Sequence, residues 1–211
     1  MLLTDPEFVK RLENLYLLTR KVLGGLTKAD RRSRRKGSGI TFADYTEYSP
    51  GDDYRSIDWK IYARMETLMV KLFELEEDVT IYIFLDCSRS METKLQYART
   101  LAAAIGFIAL HNMERVVIYG ISNRLQSLSV PLHGRAKTFT MLQTLQDADV
   151  CGTDTGFYRC ARSFQARSPK RGIVIPISDF FFPEGCEKGL KYLKWHKHDV
   201  FCLQVQDRND T

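Results

Sequence analysis

The sequence holds no C-x-x-C pair, no signal-peptide core, no apolar run of membrane-spanning length and no glycine-rich nucleotide loop. Its five cysteines, Cys87, Cys151, Cys160, Cys186 and Cys202, are scattered and odd in number. That argues against a disulfide framework or a zinc ribbon and for reduced, mostly buried thiols in a cytosolic compartment. The longest nearly unbroken apolar stretch, Leu101 to Leu110, falls well short of the ~20 residues a bilayer helix needs. Asp5, Glu7, Lys10 and Arg11 stand where a signal peptide would place its apolar core, so neither secretion by that route nor a lipid anchor is expected. Neither a Rossmann fingerprint nor a P-loop follows the first strong strand, and the usual nucleotide readings lose their support. Charge of one sign is scarce too. The 31 Lys and Arg against 26 Asp and Glu leave +5, which permits an acidic partner without demanding one.

What is present fits a globular protein. The 211 residues, 44% hydrophobic and 27% charged, suffice for one domain with a large core and an elaborated end. Residues 5–23 are expected to form an amphipathic helix, with Leu12, Leu15, Tyr16, Leu18 and Leu23 on one face, Asp5 at its start and Gly24-Gly25 at its end. Arg31, Arg32, Arg34, Arg35 and Lys36 then form a dense basic run, read as an exposed loop. Residues 40–66 mix aromatic, charged and turn residues. Strands are expected at 67–75, 79–85, 115–121, 125–132, 172–178 and 199–205. Helices are expected at 92–112, 135–146, 154–166 and 184–195. Strands alternating with helices predict an α/β fold with a mostly parallel sheet.

Ligands of such sheets sit beyond the carboxyl ends of the strands. Three loops there are rich in oxygen: Asp86-Cys87-Ser88-Arg89-Ser90, Gly152-Thr153-Asp154-Thr155 and Ser178-Asp179. Asp86, Ser88 and Ser90 are spaced by two, so a turning or extended backbone points them to one side. Hard oxygen donors suit Mg²⁺ or Mn²⁺ rather than zinc. Two carboxylates roughly neutralise a divalent ion, and hydroxyls add coordination without charge. The metal then keeps room for an outside carboxylate, favoured also by the helix N-terminus that follows.

The pattern Asp86-x-Ser88-x-Ser90, with Thr153 and Asp179 downstream, resembles the metal-ion-dependent adhesion site of von Willebrand factor A domains. Upstream, Gly37-x-Gly39-x-x-Phe42, then Tyr48-x-Pro50-Gly51-Asp52-Asp53-x-Arg55-x-Ile57-Asp58-Trp59, then Ala63-Arg64 is similar to the signature of the bacterial family called domain of unknown function 58. Thr46 stands where that family usually has an arginine, and Phe180, Phe181 and Phe182 follow Asp179. The resemblance implies a von Willebrand A-like (Rossmann-like) domain at 76–211 with helices on both faces. An N-terminal helix and irregular aromatic arm at 1–75 would pack on it. It implies a non-catalytic, cytoplasmic module holding Mg²⁺ or Mn²⁺ through Asp86, Ser88, Ser90, Thr153 and Asp179. The partner would supply an Asp or Glu to the metal, and would be a MoxR-type AAA+ ATPase or its client in chaperone-like assembly.

Competing readings exist. A haloacid-dehalogenase-type phosphatase would use Asp86, Ser122 and Asp179 with Mg²⁺, but Ser88 stands where its general acid should be. The basic run could bind nucleic acid through phosphates, without interleaved aromatics to stack bases. Asp86-x-Ser88-x-Ser90 could be a strand-end turn with capping serines. Arg55 paired to a carboxylate, with Trp59 packed down, would be a structural network. The His196-x-His198 pair lies on a polar segment and is read as surface.

Overall fold

Residues 80–86, 115–121 and 172–178 are rich in β-branched and aromatic side chains, and each becomes a strand buried on both faces. The computed structural model describes residues 2–23, 34–36, 41–74, 79–152 and 156–207. The chain divides into two units, Met1–Leu17 with Asp78–Thr211, and Leu18–Glu77. In chain order the elements are α1 (Pro6–Leu23), β1 (Arg34–Lys36), β2 (Thr41–Glu47), α2 (Trp59–Met65), β3 (Met69–Glu74), β4 (Thr80–Asp86), α3 (Leu95–His111), β5 (Arg115–Ile121), β6 (Leu125–Ser127), β7 (Leu132–His133), α4 (Thr138–Gln146), α5 (Phe157–Gln165), β8 (Gly172–Ser178), α6 (Glu187–Trp195), β9 (Asp199–Val200) and β10 (Leu203–Gln204).

In the larger unit the sheet order is β10-β8-β4-β5-β6, with β7 also on β5 and β9 also on β8. The pairs of β4 with β5 and β8, and of β8 with β9 and β10, are parallel. β6 and β7 run antiparallel to β5. Alternation along each strand feeds two cores. Ile83, Leu85, Val116, Ile118, Ile175 and Ile177 join Leu3, Phe8 and Leu12 near the N-terminus, Leu95 to Leu110 of α3, and Met141 to Leu145 of α4 on one face. Tyr82, Phe84, Val117, Tyr119 and Val174 meet Phe157, Cys160 and Phe164 of α5 and Leu193 of α6 on the other. Phe84 is fully buried and meets Tyr119 and Phe164 edge-on at 5.8 and 5.1 Å. Each such side chain contributes about 1.5–3 kcal/mol on burial.

The smaller unit is built on a sheet of order β1-β3-β2, both pairs antiparallel. Asp58 caps α2 by accepting from the Lys60 and Ile61 backbone N–H groups, and Glu66 ends that helix in the left-handed region at φ 53°.

Several expectations shift. Arg34 to Lys36 form a strand where a loop was expected; an outer strand of charged residues suits a sheet edge. Gly24, Gly25, Arg31 and Arg32 lie outside the described residues. In α1, Leu12 is buried with Phe8, but Leu15 and Leu18 are exposed. The segments 125–132 and 199–205 each split into two short edge strands. Within the first, the Ser129 hydroxyl accepts the Ile118 N–H while Leu128 and Ser129 donate to the Ile118 carbonyl. His198 is buried, edge-on to Tyr82, contrary to its surface reading. Among the described residues no helix is long and apolar enough to cross a membrane.

Candidate metal centre

The chain leaves β4 toward α3 on one sheet face and leaves β8 toward α6 on the other. The boundary between β4 and β8 is therefore the switch point where α/β sheets open a crevice. Asp86 is the last residue of β4, Ser178 is the last of β8, and Asp179 follows. All three are almost fully buried.

Asp86 is held from two sides. Its Oδ1 accepts the Ser88 backbone N–H at 2.9 Å, and its Oδ2 accepts the Ser178 hydroxyl at 2.5 Å. Ser178 Oγ in turn accepts the Phe180 N–H at 2.9 Å. Ser88 opens a short 3₁₀ turn at Arg89–Met91, but its side chain makes no capping bond. Its Oγ lies 3.1 Å from Ser90 Oγ instead, so the capping-serine reading does not describe it.

The donor chemistry of this half of the site fits a small divalent cation. Adjacent ligands of an octahedral Mg²⁺ at ~2.1 Å are about 3.0 Å apart, close to the 3.1 Å between the two hydroxyls. Asp86 adds one carboxylate. Among the described residues no three His, Cys, Asp or Glu side chains gather as a metal cluster, so any affinity rests on hydroxyls and few carboxylates.

Asp179 is committed elsewhere. Its Oδ2 accepts Lys94 Nζ at 2.8 Å, and its Oδ1 accepts the Phe181 N–H at 3.1 Å. The ion pair is deep, with side-chain exposures of 5% for Lys94 and 1% for Asp179. The Phe181 ring lies 5.6 Å from the ammonium, and the Gln204 amide holds the Asp179 carbonyl at 3.2 Å. Lys94 was missed in the sequence. The available signal was its place at i, i+4 and i+8 with the buried Ala98 and Ala102 on the sheet-facing stripe of α3.

Thr153 lies outside the described residues, with Asp154 and Thr155. Its described flanks reach the strand ends: Cys151 donates to the Cys87 carbonyl at 2.7 Å and Gly156 to the Ser122 carbonyl at 3.0 Å. Ser122, the residue a phosphatase would need, is buried and donates its hydroxyl to Asn123 Oδ1 at 3.3 Å. Burial, with Cys151 and Asp86 nearby, pushes the Cys87 thiol up to about 12. A thiol so protonated is no metal ligand or nucleophile near neutrality.

The aromatic triplet is only partly exposed. Phe182 is buried and stacks on Phe157 at 5.3 Å and 4°, while Phe181 is exposed. In the smaller unit, Asp58 is the paired carboxylate, but its partner is Lys71 at 3.2 Å, together with the Tyr45 hydroxyl at 3.1 Å. Desolvation pushes the Asp58 carboxyl up, but the bonds from Lys71, Lys60, Tyr45 and Ile61 bring it below its ordinary value. Arg55 and Trp59 are exposed, contrary to the network expected around them.

The family model described as "Protein of unknown function DUF58" matches residues 44–211. The chain belongs to the DUF58 family. Among curated proteins, the uncharacterized protein Rv1480 of Mycobacterium tuberculosis is 26% identical over 98% of this chain and 68% of its own length. The uncharacterized protein Mb1516 of Mycobacterium bovis matches to the same extent. Among solved structures, the conserved hypothetical protein BatB of Bacteroides thetaiotaomicron aligns with a TM-score of 0.50 and 18% identity, over 60% of this chain. The chain spans 66% of that BatB chain, about two thirds. A von Willebrand factor type A protein of Catenulispora acidiphila aligns at 0.47 and 15% identity over 62% of this chain and 34% of that one. The DUF58 chain has an α/β fold with a mostly parallel sheet.

Proposed function

We propose that this DUF58 protein is a non-catalytic, metal-dependent protein-binding module. Asp86, Ser88 and Ser90 hold Mg²⁺ or Mn²⁺, with Thr153 and Asp179 completing the surroundings directly or through water. The open position takes an Asp or Glu side chain from a partner. The observation that carries this reading is the oxygen edge at the switch point: Ser88 Oγ and Ser90 Oγ 3.1 Å apart beside the buried Asp86. A metal there supplies a positive point for the visiting carboxylate; the protein's own residues orient it and exclude water from one side. The family resemblance supports a MoxR-type AAA+ ATPase or its client as the partner class, and a cytoplasmic setting.

The test is affinity capture with the purified ATPase. Retention in Mg²⁺, loss in chelator and loss in the Asp86→Ala/Ser88→Ala variant support the proposal. Full retention by that variant in chelator rejects it.

A further inference from the structure

The positive charge of the chain is not spread evenly. Residues 156–201 hold nine Lys and Arg against four Asp and Glu, an excess equal to the +5 of the whole chain. All nine cations are exposed, whereas Asp179 is buried and Glu187 is paired with Lys191 at 3.3 Å. Folding puts much of this charge on one side. Phe157, Cys160 and Phe164 of α5 and Leu193 of α6 turn into the same core, so the charged side chains of both helices face outward. Arg171, Lys194, Lys197 and Phe201 line an open depression of about 370 Å³, with Asp199 as a carboxylate on its wall. Two large rings stand in water there. Trp195, next to Lys194 at the end of α6, is 81% exposed, and Phe201 is 59% exposed. Large apolar side chains left in water beside a cationic depression mark an interaction surface.

We propose that this face docks on an anionic lipid surface. Trp195 and Phe201 enter the headgroup layer, and Arg171, Lys194 and Lys197 lie against its phosphates. Each Lys or Arg close to an anionic bilayer adds attraction, and indole settles at the boundary between headgroups and acyl chains. A cationic field with apolar tips is what such a surface takes up. A single-stranded polynucleotide would instead need ring faces spaced along its path. On this face Tyr158 and Tyr192 are half-buried and edge-on to each other at 5.7 Å, and the Arg162 guanidinium lies 6.0 Å over the Tyr158 ring. Arg171 immediately precedes β8, so the depression lies at the end of that strand opposite Ser178. The two ends are roughly 20 Å apart. A docked protein thus keeps its switch point off the bilayer.

The experiment sediments the full chain with vesicles of phosphatidylcholine alone and of phosphatidylcholine mixed with phosphatidylglycerol. It is run in chelator, so the outcome is independent of the metal centre. Wild type is expected to bind only the anionic vesicles, and less as salt rises. Arg171→Gln/Lys194→Gln/Lys197→Gln removes three exposed charges and is expected to weaken binding roughly a hundredfold. Lys10→Gln/Lys60→Gln/Lys137→Gln removes three exposed charges elsewhere and is expected to bind as wild type does. Equal loss in the two variants, or no sedimentation of wild type, overturns the proposal. The chain has two tryptophans, so in Trp59→Phe the emission reports Trp195 alone. A blue shift on anionic vesicles supports entry of that ring into the headgroup layer, and sedimentation without a shift overturns it. Fluorescence anisotropy with a single-stranded oligonucleotide covers the other polyanion. Oligonucleotide binding that the first variant loses, with no uptake by vesicles, assigns the face to nucleic acid and overturns the lipid reading.

Discussion

Lys94 Nζ lies 2.8 Å from Asp179 Oδ2, and both side chains are almost completely removed from solvent. The pair ties the first turn of α3 to the end of β8 across the switch point. Removing one member of a buried pair strands the other charge, which costs about 3–5 kcal/mol. Replacing both by apolar groups is often neutral. Lys94→Met should therefore lower stability in urea by about that amount, and Lys94→Met/Asp179→Leu should recover most of it. A single variant as stable as wild type would mean the ammonium is hydrated rather than paired.

Gly172 faces the Thr80 carbonyl across the β4–β8 ladder, and a Cβ there would run into that backbone oxygen. Backbone cannot rotate away as a side chain can. Gly172→Ala is expected to destabilise by about 1–3 kcal/mol through overpacking. Chemical denaturation measures this, and a change below ~0.5 kcal/mol would contradict the close approach.

The cysteines should react in order of burial. Burial pushes Cys160 up to about 11 and Cys87 to about 12; it raises Cys202 as well, but Cys202 is exposed where the other two are buried. Alkylation at pH 8 followed by peptide mass spectrometry should label Cys202 first. Cys87 and Cys160 should stay protected until the protein is unfolded. Early labelling of Cys87 would show that the end of β4 opens readily.

His198 contributes a pH dependence with a defined sign. Burial, with His196 and Arg171 nearby, holds its imidazole below the ordinary value, and Nε2 bonds Gln165 Oε1 at 3.2 Å. The unfolded chain therefore takes up the proton first. Stability is unaffected above about pH 6.5 and falls as pH drops from there toward the lowered native value. Denaturant midpoints at pH 7.5 and 5.5 should differ more for wild type than for His198→Phe. Equal differences would remove His198 as the source.

The strands at the centre of the sheet were legible because their signal is local: β-branched runs at 80–86, 115–121 and 172–178 need no distant information. Asp86, Ser88, Ser90 and Asp179 could be placed at strand ends for the same reason. Features set by long-range pairing were not legible. The strand at Arg34–Lys36 exists through its partner Phe73 and neighbours on β3. The burial of Lys94 depends on a carboxylate 85 residues away. Asp58 chose Lys71 over Arg55 because β3 brings Lys71 beside it. His198 looked solvated among lysines, but the ring enters the aromatic cluster of Tyr82 and Phe164.

The central claim is that Asp86, Ser88 and Ser90 grip a divalent ion. Isothermal titration of Mg²⁺ into wild type and Asp86→Asn, with circular dichroism as the folding control, tests it most directly. Saturable uptake of one ion by wild type, abolished in a folded Asp86→Asn, is the expected result. The same uptake in both proteins, or none in wild type, would contradict the claim.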